Sequence, residues 1–324
     1  MTYAPVIIPT LNRYEHFKQC LDSLESCTGA EQTEVFIGLD FPPEEKYVEG
    51  WEKINAYLHD KEQNNNFKQL TVFRRQQNCG VMKKGSNISK LIWYVERHYD
   101  RYISSEDDNV FSPNFLEYIN KGLEKYEKDE SILAIVGYAH PYHFRHAENN
   151  HYRHNTDMSV WGYGTWVSRK REMRNAYKDG QMRDTISIRN AIKFIKHGWL
   201  RLYQYIYFTH KTNIRITDSA MTVYLIAMDK YVIIPTISKV RNIGWDLNGN
   251  SFKNGMKGKE KIGDRHNTQP IDTERQFEYI GDDRTFMDYN NRVAAKESDG
   301  YISFFGFVRR VVNGFIRGIQ QNRK

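Results

Sequence analysis

Along this 324-residue chain, apolar residues fall alternately into short runs and helical stripes. Val6 to Ile8 is an apolar run ended by Pro9 and a polar turn, Thr10 to Arg13, as a buried strand would be. Phe17, Cys20, Leu21 and Leu24 then recur at helical spacing, which predicts a helix laying one face on a sheet. The unit repeats. Thr33 to Leu39 reads as a strand stopped by Asp40 and Pro42-Pro43, Trp51, Ile54 and Leu58 mark a helix, and Leu70 to Phe73 a strand. Ile88, Leu91, Ile92 and Val95 mark a further helix before the short strand Tyr102 to Ser104. Strands alternating with helices predict an α/β fold with a mostly parallel sheet covered on both faces. Ligands of such sheets collect beyond the carboxyl ends of the strands. Three polar stretches stand there: Thr10 to Arg13, Asp40, and Glu106 to Asp108.

Further along, a helix is expected over 114–127 and a strand over 132–137. Residues 138–166 are rich in Tyr, His and Trp, and 183–205 reads as one basic amphipathic helix with Ile188, Ile192, Ile195 and Trp199 on one side. A helix from Asp218 to Met228 and a strand from Tyr231 to Pro235 restore the α/β pattern. Residues 249–300 are polar, lysine-rich and aperiodic, which suggests a mobile loop or linker. The pentapeptide VIIPT stands at both 6–10 and 232–236, too short a match to read as an internal repeat.

Composition narrows the class. With 40% hydrophobic and 14% aromatic residues the chain can bury a sizeable core. The start MTYAPVIIPTLNR has no signal-peptide pattern and no uncharged stretch reaches the roughly 20 residues of a membrane span, so the chain reads as cytoplasmic. Cys20, Cys27 and Cys79 have no metal-ligand spacing and read as reduced, structural thiols. The formal charge is +7, and residues 301–324 hold Arg309, Arg310, Arg317, Arg323 and Lys324 with no acid. So much charge in one tail argues for local docking and against a nucleic-acid groove. Phe304, Val308, Val311 and Phe315 share one face of that tail. It reads either as a helix lying on the inner face of the cell membrane or as one docked on the body.

The triplet Glu106-Asp107-Asp108 is costly to crowd together unless something positive neutralises it. Mg²⁺ or Mn²⁺ is a natural candidate, since hard cations take one or two carboxylates plus phosphate oxygens and water. Taken alone, the triplet reads equally as an acidic turn capping the helix near Asn114. Its surroundings add to the first reading. YISSEDDNVFSPNFLEYI resembles the acid motif of the GT-A glycosyltransferases, and APVIIPTLNRYEHFKQCLDSL resembles their first strand, turn and helix. NCGVMKKGSNISKLIWYVE is similar to their Asn-x-Gly segment, and SVWGYGTWV to their Gly/Trp acceptor-side loop. ITDSAMTVYLIAMDKYVIIPTISKVRNIGWDLNGNS resembles the closing part of bacterial sugar transferases and, more remotely, of N-acetylglucosaminyltransferase I. The resemblance runs in order over about residues 3–252.

That resemblance implies a GT-A fold in which 1–112 binds the nucleotide sugar and 113–252 holds the acceptor, followed by a linker, 253–300, and the basic tail, 301–324. It implies that Asp108 ligates the metal, with Asp107 near the metal or ribose and Glu106 supporting. Thr10, Arg13, Asp40, Asn78, Gly80 and Lys84 would hold the donor, with Lys83 an alternative to Lys84. Asp218 would be the catalytic base, although it or Thr217 also serves as a helix cap. Trp161, Gly162, Tyr163 and Trp166 would meet the acceptor or sugar, with Trp161 and Tyr163 the ligand-facing pair and Trp166 equally a core residue. Many relatives carry a histidine where this chain has Ser251, which leaves the third metal contact open, with His266 as a substitute. The cluster His140, His143, His146, His151 and His154 fits no compact ligand pattern. The implied activity is inverting transfer from a nucleotide-sugar donor, UDP-sugar favoured, to a saccharide or lipid-linked acceptor in bacterial surface-polysaccharide synthesis. Two other classes compete. One is a nucleotidyltransferase, although LNRYEHFK lacks its Gly-rich loop; the other is a non-catalytic saccharide- or membrane-binding protein.

Overall fold

The computed structural model describes residues 2–80, 85–210, 214, 216–246, 265–298 and 301–321, with the side chains of 314–321 left out. Lys83, Lys84, Ser251, Arg323 and Lys324, and the side chains of Phe315 and Arg317, lie outside the described residues. The chain opens with β1 (Val6–Thr10), α1 (Tyr14–Glu25), β2 (Glu34–Leu39), α2 (Val48–Gln63) and β3 (Gln69–Arg74). It continues with α3 (Asn87–His98), β4 (Arg101–Ser104), β5 (Asn109–Phe111), α4 (Phe115–Lys125), β6 (Ile132–Val136) and β7 (His151–His154). Then come β8 (Tyr163–Trp166), α5 (Val167–Lys178), α6 (Gln181–Asp184), α7 (Ile188–Lys196), α8 (Trp199–Thr209) and α9 (Asp218–Ala227). β9 (Tyr231–Pro235), β10 (Val240–Asn242), α10 (Met287–Glu297) and α11 (Phe304–Gln321) close it.

Eight strands form one sheet in the order β3-β2-β1-β4-β8-β6-β9-β7. β3, β2, β1 and β4 are mutually parallel neighbours. β8 lies antiparallel between β4 and β6, β9 runs parallel to β6, and β7 is antiparallel to β9. All strands but β7 and β8 therefore point one way, and the fold is α/β with a mostly parallel sheet. Alternation along β1 shows why both faces are covered. Val6 and Ile8 enter the larger core with Phe17, Leu21 and Leu24 of α1, while Ile7 joins Phe36, Leu91, Val95 and Tyr102 beneath α3. β5 pairs with β10 in a separate antiparallel ribbon, with Asn109 opposite Asn242. That ribbon brings the segment after residue 240 over the end of β4.

Two expectations from periodicity change. The stretch 183–205 is not one helix: α7 ends at Lys196 and α8 starts at Trp199, with Gly198 between them at φ +98°. Glycine takes that backbone at no steric cost, so the chain turns where an unbroken isoleucine stripe would have continued. The described part of 253–300, residues 265–298, lies on the body. Phe277 and Tyr279 pack on Tyr118, Lys239 pairs with Asp272, and Arg153 pairs with Asp283. Isolated anchors of this kind carry no period for a sequence pattern to register.

Candidate functional site

The carboxyl ends of β1, β2 and β4 deliver Thr10, Asp40 and the 106–108 triplet to one edge of the sheet. Thr10 Oγ1 donates to Asp107 Oδ2 at 2.8 Å. Asp108, only 9% exposed, is held on both oxygens: Arg13 Nη1 reaches Oδ2 at 2.8 Å and Asn242 Nδ2 reaches Oδ1 at 2.6 Å. The other arm of Arg13 contacts Asp246 Oδ1 at 3.1 Å and the Gly244 carbonyl at 3.3 Å. Gly244 has to be glycine, because a Cβ there would lie 1.8 Å from Asp108 Oδ2. Asn242, Gly244 and Asp246 are site residues that pattern reasoning missed. Their signal was a three-residue strand followed by Asn-x-Gly-x-Asp, too short for a periodic reading.

Electrostatics distinguishes the three acids. Glu106 reaches solvent at the cleft mouth, yet surrounding protein, then Asp108, Asp107 and Asp218, push its acid up to about 8; a hydrogen bond from Trp161 offsets part of this. Burial and then Asp108 raise Asp107 to about 7, against the lowering effect of Thr10 and Arg13. Asp218 is also open to solvent and raised, first by burial and then by Asp157, with Arg201 and His140 opposing. Asp218, although it comes much later in the chain, lies near enough for its charge to act on Glu106. The cap of α9 is Thr217, whose hydroxyl accepts from the Ala220 amide at 3.3 Å, and Asp218 Oδ1 accepts from Ser219 N at 2.6 Å. Beside Asp218, Asp157 accepts from Tyr142 Oη at 2.9 Å and pairs with Arg201 at 3.1 Å. His140 first, then Arg201 and Tyr142, keep Asp157 below the usual carboxylate range despite its burial.

The remaining candidates divide. Asp40 is filled by its own loop, with Oδ1 taking the amides of Phe41 and Cys79 and Oδ2 taking the Gly80 amide and, at 3.4 Å, Asn78 Nδ2. It fixes the 78–80 turn from which Asn78 and Gly80 would meet a ligand. Trp161 is half-buried at the cleft, edge-on to Tyr138, Trp245 and His266. Tyr163 and Trp166 go to the interior. Tyr163 is 4% exposed and accepts from Lys170 at 3.1 Å, and Trp166, 5% exposed, lies under the Arg169 guanidinium at 3.4 Å. Gly162 turns the chain at φ +68°, where a Cβ would meet Val240 and Phe115. His266 is buried and bonded to Tyr138. His151 bonds Tyr126 and His154 accepts from the Asp157 amide, so these two histidines have structural partners.

Among the described residues no group of three or more His, Cys, Asp and Glu is arranged to hold a metal. The carboxylates nonetheless suit a hard divalent cation shared with a phosphate ligand. The acids of Asp107 and Glu106 are raised first by the surrounding protein and then by crowded negative charge, while both oxygens of Asp108 are engaged by protein donors.

No family model and no curated protein sequence matches the chain. Among solved structures, S. aureus TarS 1–349 aligns at 11% identity over 82% of this chain and 70% of that one, with a TM-score of 0.41. Its UDP complex aligns at 16% identity, TM-score 0.32, over 41% of this chain and 34% of that one, so the match spans about a third of that protein's length. A Pyrobaculum calidifontis mannosyltransferase with GDP-Man and Mn²⁺ aligns at 13% identity over 53% and 45%, TM-score 0.34. Likenesses this low carry no assignment, and the chemistry rests on the residues.

Proposed function

We propose that the chain is a GT-A-type glycosyltransferase moving a sugar from a nucleoside-diphosphate donor, UDP-sugar favoured, to a saccharide or lipid-linked acceptor. A role in bacterial surface-polysaccharide synthesis at the inner face of the cell membrane follows from the sequence resemblance. The reading is supported by placement: Asp218 opens α9 close enough to the 106–108 triplet for its charge to act on Glu106, which favours a base and a cation-seeking cluster sharing one site. In the proposed reaction the Asp218 carboxylate takes the proton of the acceptor hydroxyl. The acceptor oxygen bonds the anomeric carbon opposite the diphosphate, and the old C–O bond breaks with its electron pair leaving on the β-phosphate oxygen. That displacement inverts the anomeric centre. Surrounding protein, then Asp157, raises the Asp218 acid above the ordinary aspartate range, which strengthens it as a base.

Asp107 with Glu106 would hold Mn²⁺ or Mg²⁺, which supplies positive charge to the departing diphosphate. Asp108 takes a different part, as the buried anchor that fixes Arg13 beside the cluster. Arg13 Nε is buried with no hydrogen-bond partner among the described residues, which favours a site completed by an acceptor atom of the ligand. Asn78 and Gly80 on the Asp40-held turn, with Lys84, would form the nucleotide wall, and Trp161 would pack against a sugar ring.

The test is incubation of the purified chain with Mn²⁺ and a panel of nucleotide sugars, with and without saccharide acceptors. Release of nucleoside diphosphate supports transfer. Formation of pyrophosphate from a sugar phosphate and a nucleoside triphosphate overturns it in favour of nucleotidyl transfer, and an inert, ligand-binding protein overturns it in favour of a binding module.

A further inference from the structure

The break at Gly198 leaves α7 with a face that the body does not cover. Phe194 is buried beneath it, whereas Ile188, Ile192 and Ile195 are 82%, 53% and 39% exposed. Three isoleucines spaced by four and three residues lie on one side of a helix, and Arg189 and Lys196 stand exposed beside them. Lys193 pairs with Asp229 and is set aside. The tail repeats this chemistry. Phe307 of α11 and, at its edge, Phe304 pack on Trp199 at the start of α8, while Phe305, Val308 and Val312 are 82%, 40% and 49% exposed and Arg309 and Arg310 are also exposed. Tyr301 and Ile302 line the same small cavity as His197 and Trp199, so the tail reaches the body at the corner where α7 turns into α8.

We propose that α7 and α11, joined through α8, form a docking surface for an anionic lipid bilayer. The inference stands apart from the transfer reaction and does not depend on it. Charge selects the occupant. No Asp or Glu occurs from Thr185 to Thr217 or from Tyr301 to Lys324, and Asp229 from the neighbouring turn neutralises Lys193, so the exposed isoleucine, valine and phenylalanine stand among an excess of cations. Two copies of such a face would bring like charges together, whereas phosphate headgroups above acyl chains match both components. α8 also ties the surface to the cleft. Its Arg201 pairs with Asp157 and its Gln204 donates to Ser219 beside Asp218, while Trp199 and Tyr203 meet α11. A bilayer on this face would lie one helix away from the proposed acceptor side.

The experiment is co-sedimentation of the full chain with vesicles of phosphatidylcholine containing phosphatidylglycerol, and with phosphatidylcholine alone, while circular dichroism and sedimentation velocity follow folding and assembly. The chain is expected to pellet with the anionic vesicles and to be released as ionic strength rises. Arg189→Gln/Lys196→Gln and Ile188→Ser/Ile192→Ser change exposed residues only. Each pair should weaken partition by about tenfold or more at an unchanged melting temperature, and Phe305→Ser/Val308→Ser should do the same. Failure to pellet overturns the proposal, as does binding that ignores the α7 substitutions. So does an α7 variant that dissolves a dimer while binding vesicles as before, which would give the face to a second copy. None of these readouts needs a sugar donor, so failure here is separable from failure of the transferase reading.

Discussion

The two halves of the sheet use polar residues in opposite ways. In the parallel half, β3-β2-β1-β4, the interior is hydrocarbon and the charged groups gather at the strand ends, where Thr10, Arg13, Asp107 and Asp108 bond one another. In the other half, charge goes inside: Arg153 is 5% exposed between Asp129 and Asp283 and Lys239 is 2% exposed against Asp272, with the neutral rings of His151 and His154 buried beside them at 0% and 1%. Buried ions must be paired to persist, so these pairs fix the 265–298 strap on the sheet. Polar substitutions in the first half should therefore alter chemistry at little cost in stability, and those in the second half should do the reverse. Asp218 crosses the division, since it belongs to the second half by position while its charge acts on Glu106 in the first.

The sharpest division comes from Asp218→Asn. If the amide cannot take the acceptor's proton, turnover should fall by roughly three orders of magnitude while donor affinity and melting temperature stay close to wild type. Asp107→Asn should instead weaken Mn²⁺-dependent donor binding, read by titration calorimetry with nucleoside diphosphate in the presence and absence of the metal. A pair of variants that lost the same function in the same way would break the assignment of separate roles.

Asp272→Ala makes the opposite trade. It leaves the Lys239 ammonium buried against Phe277 without its carboxylate, and a buried charge stripped of its partner typically costs about 3–5 kcal/mol. Burial already lowers the Lys239 pKa despite Asp272. Urea unfolding should show the loss, and adding Lys239→Met should recover most of it by removing the stranded charge. If the single variant is as stable as wild type, the Lys239–Asp272 pair does not hold the strap, which then rests on its aromatic residues and its other polar contacts.

How far the sequence could be read follows the same division. Tyr231 to Pro235 was legible residue for residue, and the strands of the parallel half to within two residues at each end, because a two-faced sheet writes its burial as continuous apolar runs. The position of the triplet at the end of β4 was legible because it follows an apolar strand, although alone it read equally as an acidic turn. Tyr163 and Trp166 were harder, since an aromatic residue after a glycine turn looks the same whether it faces a sugar or a core. Asp40 was legible as a strand-end acid, but its engagement by three amides was not, because backbone donors leave no trace in side-chain identity. The clamp of Asn242, Gly244 and Asp246 on Asp108 depends on a pairing between residues more than a hundred positions apart, which no local pattern records.

Acid should unsettle the second half first. Burial holds His151 near 4 and His154 near 3, below the ~6.5 of an unfolded histidine. The unfolded chain therefore takes up these protons first. The stabilisation is complete above about pH 6.5 and drains away as pH falls from there towards 4. The slope is about 1.4 kcal/mol per pH unit for each histidine, or on the order of 4 kcal/mol for the two at pH 5. Urea midpoints at several values between pH 7.5 and 5 should follow that slope, and His151→Gln should flatten it. A midpoint constant over this range would mean that neither ring is held neutral.

The smallest effect tests the boundary case. Thr217 caps α9 through Ala220 N, and Asp218 stands one residue further on, so cap and base are neighbours with different tasks. Thr217→Ala should cost about 1 kcal/mol of stability and leave turnover within a few-fold of wild type. Asp218→Asn should leave the cap intact and remove turnover. If Thr217→Ala instead lowered turnover as far as Asp218→Asn does, the start of α9 would matter to the reaction only as a frame, and the base would have to be sought among Glu106 and Asp157 beside it.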